Sequence, residues 1–79
     1  MARRIIFETG LMLTARIKAR LAENARVGAM RVHVKTSQGI AELSGFALSA
    51  EDRELIGKIA VGVRDVKSVR NNIFIRSPG

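Results

Sequence analysis

The sequence predicts a small α+β domain with the element order α-β-β-α-β, and three patterns support this class. Apolar residues at four-residue intervals predict a helix near the N-terminus, and alternation of apolar and polar residues predicts three strands. A second helical stripe separates the second strand from the third. Because both helices must cover an apolar face, we expect a three-stranded mixed sheet with the two helices packed on one face and the other face open.

The chain is long enough for one hydrophobic core. It has 79 residues, 47% of them hydrophobic, and no cysteine. A domain of this size buries only about 60–65% of the surface of its unfolded chain, so apolar packing and backbone hydrogen bonds must stabilise it without disulfides. We divide the chain into an N-terminal extension (residues 1–10), one domain (residues 11–76) and a C-terminal tail (residues 77–79).

The first helix is predicted over residues 11–24. Its apolar stripe comprises Leu13, Ile17 and Leu21. The periodicity lapses after Asn24, and Gly28 is expected to end the connection to the first strand.

An antiparallel hairpin follows. In its first strand Met30, Val32 and Val34 alternate with Arg31, His33 and Lys35, a pattern with one buried and one solvent-exposed face. Residues 36–39 are of types that favour a turn. The second strand is expected over residues 40–45, with Ala41 and Leu43 pointing inward.

The second helix begins after Ser49, which we predict to be its N-cap, three residues before Asp52. The buried stripe comprises Leu55, Ile56, Ile59, Ala60 and Val63, and the outward residues are Arg53, Glu54 and Lys58. A third strand is predicted where Asn71, Ile73 and Ile75 alternate with Arg70, Asn72, Phe74 and Arg76, before Pro78.

This order of helices and strands, together with the short sequence phrases at their ends, resembles that of the BON (bacterial OsmY and nodulation) domain. The phrase over residues 39–45, Gly-Ile-Ala-Glu-Leu-Ser-Gly, is similar to the hairpin phrase Gly-Val-Val-x-Leu-x-Gly of the family. Residues 49–53 are similar to its Ser, two variable residues, Glu-Arg. The closing signature is matched by Ile59, Ala60, Val63, Val66, Val69, Asn71 and Ile73. Two positions depart from the pattern: Asp65 stands where the family commonly has Gly, and Ala41 replaces a bulkier Val.

The resemblance implies a bacterial envelope or periplasmic setting and frequent attachment to other domains. It also implies affinity for phospholipid membranes, with anionic lipid recognised by some members, and it implies no enzymatic activity and no cofactor. The chain itself shows no predicted export signal, because Glu8 interrupts the apolar run of Ile5, Ile6 and Phe7 after three residues. That short run is predicted to dip into a membrane interface, to pack on the domain or to form an extra strand.

The charge is consistent with a polyanionic partner. Fourteen Lys and Arg against seven Asp and Glu leave a net charge of +7, and no stretch approaches the roughly 20 apolar residues needed to span a bilayer. Two basic surfaces are candidate sites for anionic lipid. The first, on the first helix, comprises Arg16, Lys18 and Arg20. The second, on the open sheet face, comprises Arg31, Lys35, Arg70, Phe74 and Arg76, with His33 among them. Either surface could instead be an ordinary solvated face.

The main alternative to lipid binding is protein assembly through the open sheet face or an edge strand. Nucleic-acid binding, catalysis and metal binding fit the sequence less well. Nucleic-acid binding on a sheet uses paired aromatics, and the sequence places only Phe74 on that face. Catalysis is disfavoured because His33, the single histidine, has no evident nucleophile or carboxylate partner. The acidic residues Glu51, Asp52 and Glu54 are better explained by the positive end of a helix than by a metal site.

Overall fold

A computed structural model describes residues 10–76 of the chain, so the predictions for Ile5, Ile6 and Phe7 lie outside the described residues. The elements are α1 (Gly10–Glu23), α2 (Ala25–Gly28), β1 (Val32–Ser37), β2 (Ile40–Ala47), α3 (Ala50–Val61) and β3 (Ser68–Ile75). The predicted α-β-β-α-β order is confirmed, with the short α2 added to it.

The three strands form one mixed sheet in the order β1-β2-β3. β1 runs antiparallel to β2, and β2 runs parallel to β3. Parallel neighbours need a long crossover connection, which α3 provides between β2 and β3. β2 is the central strand and pairs with both edge strands, β1 and β3.

The hairpin between β1 and β2 has a two-residue turn. Ser37 pairs with Ile40, and between them Gln38 has φ 52° and Gly39 has φ 83°. Positive φ at both central residues is the requirement of a type I′ turn, whose twist matches that of the flanking strands. The glycine of the family phrase thus has a conformational role at the start of β2.

The core lies between the helices and one face of the sheet. Ile17 of α1, Leu43 of β2 and Ile56 of α3 are completely buried. The same cluster contains seven more of the predicted inward residues: Leu13, Leu21, Val34, Ala41, Ala60, Val63 and Ile73. The predicted packing of both long helices on one sheet face is confirmed. Met30, Val32, Leu55 and Ile59 are only partly buried. Ile75, which the alternation of the third strand places on the same side as Ile73, is 46% exposed.

The short helix α2 was not predicted, although the sequence carries a signal for it. The Asn24 side chain accepts hydrogen bonds from the backbone N–H groups of Arg26 and Val27, each at 3.0 Å. Asparagine is among the preferred N-cap residues. The cap turns the chain after α1 and buries Val27, which sequence periodicity did not place in the core.

Replacing Asn24 with alanine is expected to lower the free energy of unfolding by about 1 kcal/mol, because two backbone N–H groups lose their acceptor. Chemical denaturation followed by circular dichroism would measure this change. Asn24→Asp keeps a side-chain oxygen that can accept both hydrogen bonds. It is the matched control, and its stability should stay close to that of the parent protein. Equal losses in the two variants would contradict the capping role.

Arg53 does not point outward as predicted. Its Nη2 donates to the backbone carbonyl of Asn71 at 3.0 Å, and the Asn71 side-chain amide donates to the carbonyl of Arg53 at 3.0 Å. This reciprocal pair holds α3 against β3. Both residues are half-buried, and Asn71 occupies an inward position of β3.

Asp65 occupies a backbone conformation that glycine adopts more readily than other residues. Its φ is 77°, in the left-handed region that aspartate tolerates better than most residues. Its carboxylate lies 3.3 Å from Arg16 Nη1. The departure from the family pattern is thus accommodated by the fold.

The predicted N-cap is also confirmed, because Ser49 Oγ accepts from the backbone N–H of Asp52 at 3.1 Å.

Candidate functional site

Two phenylalanine rings lie side by side on the open face of the sheet. β2 continues beyond Gly45 to Ala47, so Phe46 falls on the open face and pairs in register with Phe74 of β3. The ring centroids are 6.2 Å apart with an interplanar angle of 36°. Phe46 is 48% exposed and Phe74 is 70% exposed. The prediction that only Phe74 occupies this face is therefore wrong.

Gly45 allows β2 to continue through this point. Its φ is 125°, and a Cβ built there would lie 2.2 Å from the backbone carbonyl oxygen of Arg31. Only glycine permits such a close approach of two backbones. The start of β1 consequently packs tightly against β2, and Arg31 lies in the same surface region as Phe46.

Arg76 extends this aromatic pair with a positive charge. Its backbone N–H donates to the carbonyl of Ala47 at 2.7 Å, and its guanidinium carbon lies 5.2 Å from the centroid of the Phe46 ring. That distance is within the range of cation–π attraction. Leu48, which is 53% exposed, follows directly after β2. We call Arg31, Phe46, Leu48, Phe74 and Arg76 the tip patch.

The charges of the tip patch are not neutralised by the ion pairs found between residues 10 and 76. Those pairs join Arg16 to Asp65 and Arg26 to Asp52. Neither Arg31 nor Arg76 takes part in them. Exposed apolar side chains that are bordered by charge are typical of an interaction surface rather than of ordinary solvated sheet.

Lys35 and Arg70, which the sequence also predicted for the site, lie farther along the open face. They flank Glu42 in one row across the three strands, so the acidic side chain offsets part of their charge. A row containing His33, Ser44 and Asn72 separates them from the aromatic pair. Arg70 and Phe74 are four positions apart in β3, which corresponds to about 13 Å along a strand.

The basic residues of α1 do not form one surface. Arg16 and Arg20 are one helical turn apart, whereas Lys18 points roughly 200° away from Arg16 around the helix axis. Arg16 is paired with Asp65, and Arg20 lies near Glu23 and Lys58. The three predicted cations of this helix therefore do not all point in one direction.

A buried carboxylate, that of Asp52, lies close to the tip patch. From the sequence alone, this acidic residue is attributed only to the positive end of the second helix. Asp52 is 2% exposed, and Arg26 Nε lies 2.5 Å from its Oδ1. The hydrogen bond with Asp52, together with its charge, raises the pKa of the Arg26 guanidinium. This ion pair joins α2 to the first turn of α3 and orients the chain that leads to Arg31.

Across residues 10–76 no three His, Cys, Asp or Glu side chains converge as a metal site would require, and His33 lies exposed opposite Ser44. In that same range no helix has the length and hydrophobicity to cross a bilayer.

Comparison with known proteins agrees with the resemblance in the sequence. The family model of the BON domain matches residues 11–77. The osmotically-inducible protein Y of Escherichia coli (strain K12) is 36% identical over 64 residues, which cover 81% of this chain. Those residues cover 32% of that protein, so the chain spans about a third of its length. The chain therefore belongs to the BON domain family.

Proposed function

We propose that this domain is a non-catalytic binding module that docks on anionic phospholipid surfaces through the tip patch, in a bacterial envelope setting. The observation that carries the proposal is the cluster of exposed Phe46, Leu48 and Phe74 side chains bordered by Arg31 and Arg76. The association of the BON family with phospholipid binding supports this class of partner.

The chemistry of the tip patch matches the boundary between lipid headgroups and acyl chains. Full burial of a Leu or Phe side chain contributes about 1.5–3 kcal/mol, and each cation near an anionic bilayer contributes about 1 kcal/mol. These contributions are similar in size, so charge and apolar contact act together. Lys18, Arg20, Lys35 and Arg70 then add to the net charge of +7 that attracts the domain to the surface.

The test compares binding to vesicles of phosphatidylcholine alone with binding to vesicles that also contain phosphatidylglycerol. We expect binding to the anionic vesicles that weakens as salt is raised, since screening reduces the attraction between exposed charges. Arg31→Gln combined with Arg76→Gln should reduce the affinity by about 30-fold, corresponding to roughly 2 kcal/mol.

The matched control is Lys18→Gln combined with Arg20→Gln, which removes the same charge from the predicted α1 surface. We expect this variant to lose no more than a few-fold in affinity, because α1 acts at longer range. Equal losses in the two double variants would overturn the tip patch as the docking surface. Equal binding to anionic and zwitterionic vesicles would overturn the recognition of anionic lipid.

A protein-assembly role is the second candidate, and the sheet edge favours it. β3 has eight residues and no neighbouring strand on its outer side in the described sheet, and Ile75 beside that edge is exposed. Edge strands of this kind can pair with another chain. This function predicts a concentration-dependent increase in mass that persists at high salt, which sedimentation equilibrium would measure. A monomer at all concentrations would exclude self-association.

A further inference from the structure

An open groove of about 390 Å³ lies beside the tip patch. It is formed where the connection between α2 and β1 passes the end of β2. The residues that determine its chemistry are Arg26, Met30, Arg31, Phe46, Leu48 and Arg76. The volume is at the lower end of the range of small-molecule sites, which is roughly 300–1,000 Å³.

The groove has an apolar floor and a cationic rim. Met30 is half-buried, and Phe46 and Leu48 present exposed apolar surface to it. Methionine adapts its shape readily to irregular apolar ligands. A ligand that fills the groove would therefore bury an apolar chain while its headgroup remains at the rim.

The arginines of the rim differ in the charge that they offer to a ligand. Arg26 is held by the buried carboxylate of Asp52, which offsets its charge. Arg31 and Arg76 take part in neither ion pair found between residues 10 and 76. Guanidinium groups bind phosphate oxygens with two parallel N–H donors, so these two arginines suit a phosphodiester.

We propose that the groove holds a segment of one acyl chain of a single anionic phospholipid, with the phosphodiester between Arg31 and Arg76. The inference rests on the proposed function for its class of partner, and it adds recognition of one lipid molecule to docking on a surface. Charge complementarity selects the headgroup, and the apolar floor distinguishes the site from one for free phosphate. A stacked nucleotide base fits less well, because the Arg76 guanidinium covers one face of the Phe46 ring.

The experiment is an NMR titration of the full chain with methyl-labelled Met and Leu. The probes are dihexanoyl-phosphatidylglycerol and dihexanoyl-phosphatidylcholine below their micelle concentrations, inorganic phosphate, and a single-stranded oligonucleotide. Saturable shifts of the Met30 and Leu48 methyl groups are expected with phosphatidylglycerol, with weaker binding of phosphatidylcholine. Leu48→Ser should weaken the binding of monomeric phosphatidylglycerol about tenfold by removing apolar contact.

The matched control is Val61→Ser, which removes a side chain of similar exposure from α3, since Val61 is 50% exposed. It should leave monomer binding unchanged, and an equal loss in both variants would overturn the groove as the site. Identical shifts with inorganic phosphate would overturn the acyl-chain site, and tighter binding of the oligonucleotide would overturn lipid as the ligand.

The results separate this inference from the proposed function. Binding to anionic vesicles without saturable monomer shifts would overturn the groove site and leave surface docking in place. Saturable monomer shifts without vesicle binding would support the groove site and overturn surface docking.

Discussion

Replacing Gly45 with alanine is expected to lower the free energy of unfolding by about 3 kcal/mol or more. The new Cβ would meet the Arg31 carbonyl oxygen at 2.2 Å, and φ at this position is 125°. Both the clash and the backbone strain are costly, and the obstructing atom is backbone that cannot rotate away. Urea denaturation monitored by circular dichroism would measure the change.

Gly62→Ala is the matched control for this substitution. Gly62 has φ −79°, and a Cβ there would lie 3.4 Å from the Lys58 carbonyl oxygen, an ordinary contact. We expect its stability to change by no more than about 1 kcal/mol, because alanine also restricts the unfolded chain. Similar stabilities of the two alanine variants would contradict the close packing of β1 on β2 at Gly45.

Replacing Phe46 and Phe74 together with serine is expected to reduce the affinity for anionic vesicles about 100-fold. The two rings supply most of the apolar surface of the tip patch, and losing their transfer into the lipid interface costs roughly 3 kcal/mol. Both side chains are exposed, so the core should remain intact. Vesicle cosedimentation would measure the binding, and circular dichroism would verify the fold.

Met12→Ser combined with Val61→Ser is the control for the phenylalanine variant. These residues are 45% and 50% exposed and lie on the two long helices rather than on the sheet. Binding of this control should match that of the parent protein. An equal reduction in both double variants would show that apolar contact is not localised to the tip patch.

Most of the fold could be predicted because it depends on local periodicity. Ile17 of α1 and Ile56 of α3 belong to helical stripes, and Val34 and Leu43 alternate with polar residues, so their burial follows from spacing. Ser49 was identifiable as an N-cap because its acceptor role involves residues only a few positions away. Such patterns do not depend on which distant segment supplies the neighbouring surface.

The features that sequence reasoning missed depend on distant contacts or on an unusual backbone. The Arg26–Asp52 ion pair joins residues 26 positions apart, and neither residue lies in a pattern that indicates its partner. Gly45 resembled the end of a strand, whereas β2 continues through it with a positive φ and pairs with β3 as far as Ala47. Phe46 was therefore not assigned to the open face.

The candidate site likewise combines residues that local sequence patterns predicted with residues that they missed. Arg31, Phe74 and Arg76 were predicted from strand alternation, and the structure brings them into one region with Phe46 and Leu48. By contrast, helical geometry separates Lys18 from Arg16 and Arg20, although the three are close in sequence. Clustering along the chain was thus a poor guide to clustering on the surface.

The most direct test of tip-patch docking is NMR of the ¹⁵N-labelled domain on anionic nanodiscs that contain a headgroup spin-labelled lipid. Paramagnetic broadening identifies the amides nearest to the membrane without any substitution. We predict the strongest broadening at residue 31, at residues 46–48 and at residues 74–76, with little along residues 16–20. Broadening that follows α1 and spares the end of the sheet would contradict docking through the tip patch.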